Sequence, residues 1–599
     1  MGAMATSYDV EPVDRLPFGT AEKSARYATE RYAGATGLNW WRCDPTLQLM
    51  VKHHLTGDEL AWAEPHLDRF GALMGGPVSE RAEVTDKNPP HLERYDRWGH
   101  DVSHVVLPPT FLESRRDVLA NSFTTPAVRK DAASRGVRLT MLNAAHSYLL
   151  NQAEIGMTCA LGTGGDMVYN LVRAFAPPDV RDTVLARFES GEWAGQTIQS
   201  LTERSGGTDL AQIETTATPD GDAWRINGFK WFASNASGAA WVVLAKPEGA
   251  TDDARGIATF LVLAERRDGT RNGIRIRRLK DKLGTKAVAS AEVEFADAEA
   301  FLLSGDAGGE AGDGTGTGDG KGLARMMEMT NGARLGIAMM GLGCARRALV
   351  EALCYARARH AFGASLAEQP LMRRKLVELI VDVEAAQALV FDGYDPAHRL
   401  RIGAPLIKLR AARLGITAAS DAIEVHGGNG YVENWPVARI LRDAQVNTLW
   451  EGPDNVLCLD VRRGIERQQA DVAFLDRLRA AVERGPAGDA ATDLVTERIE
   501  QVGVAIERWK ALDRTTAEAR LFPLAQFMAD VYAGALLVEL AGFEQRELGS
   551  DRKALVARLY ARRHLTDHGP LRGIDDPRSE ELDRFKDLWD GALLDDRTS

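Results

Sequence analysis

Glu451 stands between Leu449-Trp450 and Gly452-Pro453, an apolar and turn-rich setting. A carboxylate kept from water there has a raised pKa and can serve as a general base. Upstream, His426-Gly427-Gly428-Asn429-Gly430-Tyr431 is a Gly-rich turn that follows a helical pattern. Alone it is ordinary turn punctuation. Earlier still, Thr202-Glu203-Arg204-Ser205-Gly206-Gly207-Thr208-Asp209 has the form T-E-x-x-G-G-T-D. After it come Asn227-Gly228-Phe229-Lys230-Trp231-Phe232-Ala233-Ser234, then Arg334, then Arg359-His360-Ala361-Phe362-Gly363. A GxGxxG fingerprint is absent, and Gly320-Lys321 is followed by Gly322, where a P-loop needs Ser or Thr. The five cysteines (Cys43, Cys159, Cys344, Cys354, Cys458) are widely spaced with no CxxC pair, which speaks for free thiols over a disulfide frame or zinc site. In the Asn-Val-Leu-Cys-Leu-Asp stretch, Cys458 reads as a buried structural thiol.

These groups must be carried by a scaffold of several units. The chain has 599 residues, 45% of them hydrophobic and 26% charged, an ordinary globular composition. Residues 1–190 read as mostly helical, with a loop near Lys87-Asn88-Pro89-Pro90. Between 191 and 303 the pattern turns to strands: 241–245, 258–264 and 291–295, with 222–232 read as a hairpin on Asn227-Gly228. This predicts a compact, barrel-like antiparallel β domain. Residues 304–322 are nearly all Gly, Asp, Thr and Ala, a flexible linker by composition. Residues 323–465 return to long amphipathic helices, expected to form a four-helix bundle, and 466–599 predict a further helical domain. The fold class is therefore α+β and multi-domain. No uninterrupted run of 18 apolar residues reads as a membrane span, and the N-terminus lacks the features of a signal peptide. The expectation is a cytoplasmic protein with no membrane partner.

The motifs, taken in order, resemble the acyl-CoA dehydrogenase superfamily of flavoproteins. The likeness is closest to its AidB-like, adaptive-response branch, on the stretches 88–96, 228–234, 278–286, 359–373 and 447–463 and on the extension beyond 465. The resemblance implies FAD held between the β domain and the C-terminal helices, with a neighbouring subunit completing the site. It places Thr202 at the flavin edge, Gly207 and Thr208 near the pyrophosphate, Phe232 on the flavin face where Trp is usual, and Ser234 near flavin N5. It places Arg359 on the pyrophosphate across the subunit interface, with Phe362 and Gln369 in the same region. Glu424 replaces a usual Gln beside Gly427 and Gly428 at the adenosine half, and Asn455 replaces a second Gln. Glu451 matches the base that takes the α-proton, its own backbone N–H helping to hold the thioester carbonyl; Arg334 matches an active-site arginine. The alternative base position, just before that arginine, is Ala333 here, and Asn331 replaces a usual acid. Trp450 replaces the common Tyr, which implies a narrowed pocket and a short, branched or unusual substrate.

Three functions follow from the resemblance. The first is an FAD-dependent acyl-CoA or acyl-carrier dehydrogenase passing electrons to an acceptor such as electron-transfer flavoprotein, in a homo-oligomer, expected to be a tetramer. The second is an AidB-like stress flavoprotein binding double-stranded DNA through its C-terminal region. The third is an acyl-CoA oxidase. The net charge of −12 disfavours DNA, and acidic residues outnumber basic ones beyond 465. A locally basic run, Arg552-Lys553, Arg558 and Arg562-Arg563, is the counter-argument.

Overall fold

The computed structural model describes residues 34–162, 165–303, 321–569, 574 and 579–595. Helices begin where the sequence supplies a cap. The Asp44 carboxylate accepts the Leu47 N–H (2.9 Å) at the start of helix Pro45–His54. Thr56 and Glu59 form a reciprocal capping box on helix Gly57–Leu73. Helix Leu139–Ala153 is buried along most of its length and lies against helix Gly322–Ala358. The long apolar stretch around 141–162 is broken at Glu154, whose carboxylate accepts the N–H groups of Gly156 (2.8 Å) and Met157 (2.7 Å) and opens helix Ile155–Gly162.

The loop expected near 87–90 leads instead into a hairpin, β1 (His91–Tyr95) and β2 (Asp101–Val106). It is fastened to the β domain, where Ile276 donates its N–H to Ser103 Oγ (2.8 Å). That domain holds β3 (Thr197–Ser200), β4 (Thr216–Asp220), β5 (Ala223–Ser234), β6 (Ala240–Pro247), β7 (Ala258–Leu263), β8 (Ile274–Leu279) and β9 (Ser290–Leu302). The pairings β6-β4-β5-β9-β7 return to β6 and close a ring, with β3 and β8 as side strands. The sheet is not wholly antiparallel, since β3 and β4 run parallel to β6. The predicted hairpin on Asn227-Gly228 is also corrected. Both residues lie inside the continuous strand β5, at a bulge against β9; the turn falls at Gly221, which has φ +63°. Gly228 is needed there for room: a Cβ would sit 2.3 Å from Thr215 Oγ1. The linker assigned to 304–322 lies, from 304 to 320, outside the described residues.

The C-terminal helices are Gly322–Ala358, Pro370–Tyr394, Gly403–His426, Pro436–Ala444 and Asp454–Gln468. The first and third approach most closely at Gly341, where a Cβ would meet the Ala411 carbonyl oxygen at 2.5 Å, and at Gly415, where it would meet the Gly341 oxygen at 2.8 Å. Beyond 468 come the helices Ala470–Val482, Ala490–Lys510, Leu521–Leu548 and Arg552–Leu565, with shorter ones to 592. They share one apolar core with the bundle and with the N-terminal helices. Helix Leu521–Leu548 has the length and mean hydropathy (1.6) of a membrane span. It packs against helices Pro370–Tyr394 and Gly403–His426, and its charges are paired: Glu539 with Arg477 (2.6 Å) and Asp530 with Arg410 (3.0 Å).

The basic run 552–563 does not form an open face. Arg552 and Lys553 are buried and both grip Glu384, at 2.5 and 2.6 Å. Arg558 pairs with Asp489 and Glu580, Arg562 with Glu581, and Arg563 with Glu378. The contacts to Glu384 and Glu378 bind the extension to helix Pro370–Tyr394, while those of Arg558 and Arg562 close the extension on itself. Burial pushes the Glu384 pKa up, but Arg552 and Lys553 outweigh it and hold the group at about 2, below its ordinary 4.5. The stability it lends is full above about pH 4.5 and is lost as pH falls towards 2. Glu384→Gln should cost about 3–5 kcal/mol in urea unfolding, because two cations stay buried without their carboxylate.

Candidate active site

Helix Pro436–Ala444 runs into a 3-10 turn, Gln445–Thr448, and Val446 O accepts the N–H groups of Leu449 (2.9 Å) and Trp450 (3.1 Å). The chain must then reverse before helix Asp454–Gln468. It does so through two successive left-handed residues, Glu451 (φ +55°) and Gly452 (φ +100°). For a non-glycine residue this conformation costs about 1–2 kcal/mol and persists only where surroundings over-determine it. Here two cations supply that constraint. Arg334 donates its Nε–H to Glu451 O (3.2 Å), and Lys408 donates from Nζ to Gly452 O. Arg334 is itself fixed by Asp460 (2.5 Å) and Asn331 (2.9 Å), and Asp460 also holds Arg401 (2.7 Å). Burial raises the Glu451 pKa, opposed by the charges of Arg334 and then Lys408. The Glu451 N–H makes no hydrogen bond among the described residues. This turn therefore offers a desolvated base beside a donor with spare capacity, the pairing that proton abstraction next to a carbonyl requires.

A second group lies on the β domain. Phe232, near the end of β5, is 49% exposed, and Ser234 Oγ is 3.1 Å from Ser290 Oγ. Trp231 donates its N–H to Thr202 O (2.8 Å), which ties the Thr202 loop to β5. Lys280 Nζ lies over the Trp231 ring at 3.1 Å and the Phe232 ring at 4.8 Å. Beneath them Glu203 works as a clasp. It accepts the N–H groups of Glu214 (2.6 Å) and Thr215 (3.3 Å), the Thr215 hydroxyl (2.6 Å), and Lys230 Nζ (2.6 Å). Burial pulls Lys230 down to about 8 against the attraction of Glu203. Gly207 and Thr208 follow on the exposed side of this loop.

A third group gathers at the far end of helix Gly322–Ala358. Arg359 is its C-cap, and its guanidinium pairs with no carboxylate among the described residues. Phe362 (φ +54°) tips the short hairpin at 360–365 and is 99% exposed; Gln369 donates from Nε2 to Ala361 O (3.1 Å). Asn429 Nδ2 donates to Tyr355 Oη (3.1 Å), and His426 stacks on the Tyr355 ring, bringing Gly427 and Gly428 close to this end. A Cβ on either glycine would meet nothing within 4 Å, so their backbone is open. Glu424 is exposed and pairs with Lys375 (2.8 Å), which also holds Asp421 (3.1 Å); Asn455 is exposed on the helix that follows Glu451. Arg334 and Arg359 stand 25 residues apart on one helical path, about 37 Å at 1.5 Å per residue. One chain therefore holds the Glu451 turn and the Arg359 end as two separated half-sites.

Sequence reasoning did not single out Lys408, Asp460 or Arg401. Lys408 had a signal: it interrupts the apolar stretch Gly403-Ala404-Pro405-Leu406-Ile407-Leu409, and it is wholly buried. The two acidic and basic partners had none, because their roles arise only from folding.

Comparisons with known proteins give the family and the fold. Residues 320–466 match the family model for the acyl-CoA dehydrogenase C-terminal domain, and 199–298 that for its middle domain. Residues 33–174 match the adaptive response protein AidB N-terminal domain. The putative acyl-CoA dehydrogenase AidB of Escherichia coli strain K12 is 31% identical over 468 residues, covering 75% of this chain and 82% of that protein. The crystal structure of Caenorhabditis elegans ACDH-11 in complex with C11-CoA superposes with a TM-score of 0.78 at 24% identity, over 93% of this chain and 95% of that one. The Bacillus anthracis acyl-CoA dehydrogenase complexed with FAD shares the fold at TM-score 0.66 and 16% identity, over 91% and 93%.

Glu203→Gln would leave the Lys230 ammonium buried without its carboxylate. The β domain should lose about 3 kcal/mol or more in chemical unfolding.

Proposed function

Because the chain belongs to the acyl-CoA dehydrogenase family, in which it is an oxidoreductase, we propose that it is an FAD-dependent enzyme that desaturates an acyl thioester between its α and β carbons, with Glu451 as the base. The observation that carries this is the Glu451 turn: a half-buried carboxylate whose pKa desolvation raises, backbone carbonyls held by two cations, and an N–H with no partner among the described residues. The residues present fit FAD. Phe232 offers a half-open ring beside the Ser234 hydroxyl and the Thr202 loop, while Arg359, without a carboxylate, stands near the open backbone of Gly427-Gly428. Phe232, Ser234, Thr202, Gly207 and Thr208 would hold the flavin and pyrophosphate side. Arg359, Phe362, Gln369, Gly427 and Gly428 would serve a neighbouring copy, which the separation of the half-sites supports; a tetramer is the proposed assembly. Glu424 shares Lys375 with Asp421, so its charge is only partly offset where an anionic ligand would approach.

When bound, FAD supplies the acceptor for the hydride leaving the β carbon. The chain does the rest. The thioester carbonyl is polarised by the Glu451 N–H, which acidifies the α-hydrogen. The Glu451 carboxylate removes that proton and keeps it. Arg334 holds the base in register through Glu451 O, and Asp460 holds Arg334. Trp450, the residue before the base in sequence and half-buried against the apolar core, is the basis for proposing a short, branched or otherwise unusual acyl group. The C11-CoA in the worm relative makes a medium chain the natural challenge to that choice.

The purified protein should be yellow, and an anaerobic panel of acyl thioesters should bleach its flavin, short or branched chains fastest. Glu451→Gln should retain FAD and lose both α-proton exchange and bleaching by 100-fold or more, on the order of what positioned acid–base groups contribute. A protein that takes up no FAD would defeat the assignment. The acceptor is proposed to be an electron-transfer flavoprotein; peroxide formed at a rate matching turnover in air would assign an oxidase instead.

A further inference from the structure

Lys408 sits in the middle of helix Gly403–His426 with both sequence neighbours, Ile407 and Leu409, buried. Its side chain reaches Gly452 O and makes no ion pair with a carboxylate among the described residues. An ammonium buried without a paired carboxylate is expensive, and an apolar side chain of similar length would fill this helix face at lower cost. The charged groups facing it are few. Arg334 comes from helix Gly322–Ala358, Glu451 from the turn, and Asp454 from helix Asp454–Gln468. Asp454 is taken by Arg413 (Nε, 2.8 Å), and Asp460, further along, is taken by Arg334 and Arg401. That leaves the Glu451 carboxylate, one residue before the carbonyl that Lys408 holds, as the negative charge, unpaired among the described residues, on which Lys408 acts through space.

We infer that Lys408 is a positioning residue of the active site: it fixes the Gly452 carbonyl, and its charge keeps the Glu451 carboxylate ionised in a desolvated pocket. The inference rests on the reading of Glu451 as the base. The two halves of the role are linked by the backbone. The Gly452–Pro453 peptide has no N–H, so its carbonyl is the one handle by which that peptide can be oriented. Arg334 grips the preceding carbonyl, so the two cations together set the peptide planes on both sides of Gly452 and keep Glu451 left-handed. Burial and then Arg334 lower the Lys408 pKa to about 8, with Glu451 and Asp454 opposing, so the ammonium persists at neutral pH.

The test uses the holoenzyme and the variants Lys408→Met, Lys408→Gln and Lys408→Arg. Difference infrared spectroscopy follows the Glu451 carboxyl band, assigned by its absence in Glu451→Gln. Loss of a positive neighbour favours the neutral acid, so in Lys408→Met the carboxyl should titrate about one pH unit or more higher. The acid limb of kcat should move with it, while KM stays within about two-fold. Lys408→Gln, which can still donate to Gly452 O, should move the titration as Met does, and it decides the matter if Met fails to fold. Lys408→Arg should leave the titration at its wild-type position. A carboxyl titration unmoved in both neutral variants overturns the inference, even if kcat falls. A wild-type protein that titrates as described but exchanges no α-protons would defeat the proposed function instead, so the two failures are read separately.

Discussion

Everything around the active turn is referred to one rigid rod, the 37-residue helix Gly322–Ala358. Helices Leu139–Ala153, Pro370–Tyr394, Gly403–His426 and Pro436–Ala444 all pack on it. It is tied to the N-terminal region by buried contacts: Arg346 pairs with Asp44 (3.1 Å), Arg347 donates to Ser79 Oγ (2.8 Å), and Glu351 accepts the Ala35 N–H (3.2 Å). Breaking such a pair by removing one partner is costly, so the rod's rotation and height are strongly determined. Arg334 inherits that precision and transmits it to the Glu451 carbonyl. The same rod ends in Arg359, so its length sets the spacing between the two half-sites.

Buried cations recur for a reason that the overall charge conceals. The chain is acidic, yet Lys230, Arg334, Arg346, Arg347, Lys408, Arg439, Arg477, Arg552 and Lys553 lie inside it. Most meet a carboxylate contributed by a different element, so each pair states which elements belong together. Lys230 closes the motif loop on the β domain, and Arg552 with Lys553 closes the extension on the bundle. Buried carboxylates outnumber these cations among the described residues, so the acid excess extends inside, where it is organised by pairing.

The sequence made the β domain legible through alternation and the base through its apolar neighbours. Asn227-Gly228 misled because the dipeptide serves a bulge as readily as a turn, and only the partner strand β9 decides between them. The hairpin at 91–106 escaped notice because its short strands mix polar and apolar residues without a strict alternation, and an attachment such as Ser103 to Ile276 lies 173 residues away in sequence. The basic run 552–563 resembled a surface face because sequence records charge and not the carboxylates that fold over it. Lys408 could have been found from its apolar frame, but its partner is a backbone oxygen, which no side-chain pattern announces.

Helix Leu521–Leu548 carries a further implication for how the molecule is made. Its cover comes from both directions along the chain: helices Pro370–Tyr394 and Gly403–His426 before it, and Arg552–Leu565 after it. During synthesis this apolar segment emerges before its last covering helix exists, and its earlier partners must wait for it. Such long-range closure is slow and leaves hydrophobic surface open in the interval. The acids Asp530, Glu539 and Glu544 within the segment then have a second use, since charge on a waiting helix discourages it from entering a bilayer or joining another copy of itself. The extension is therefore less an appendage than a late step of assembly, and helix Leu521–Leu548 is covered on this side only once Arg552–Leu565 has emerged.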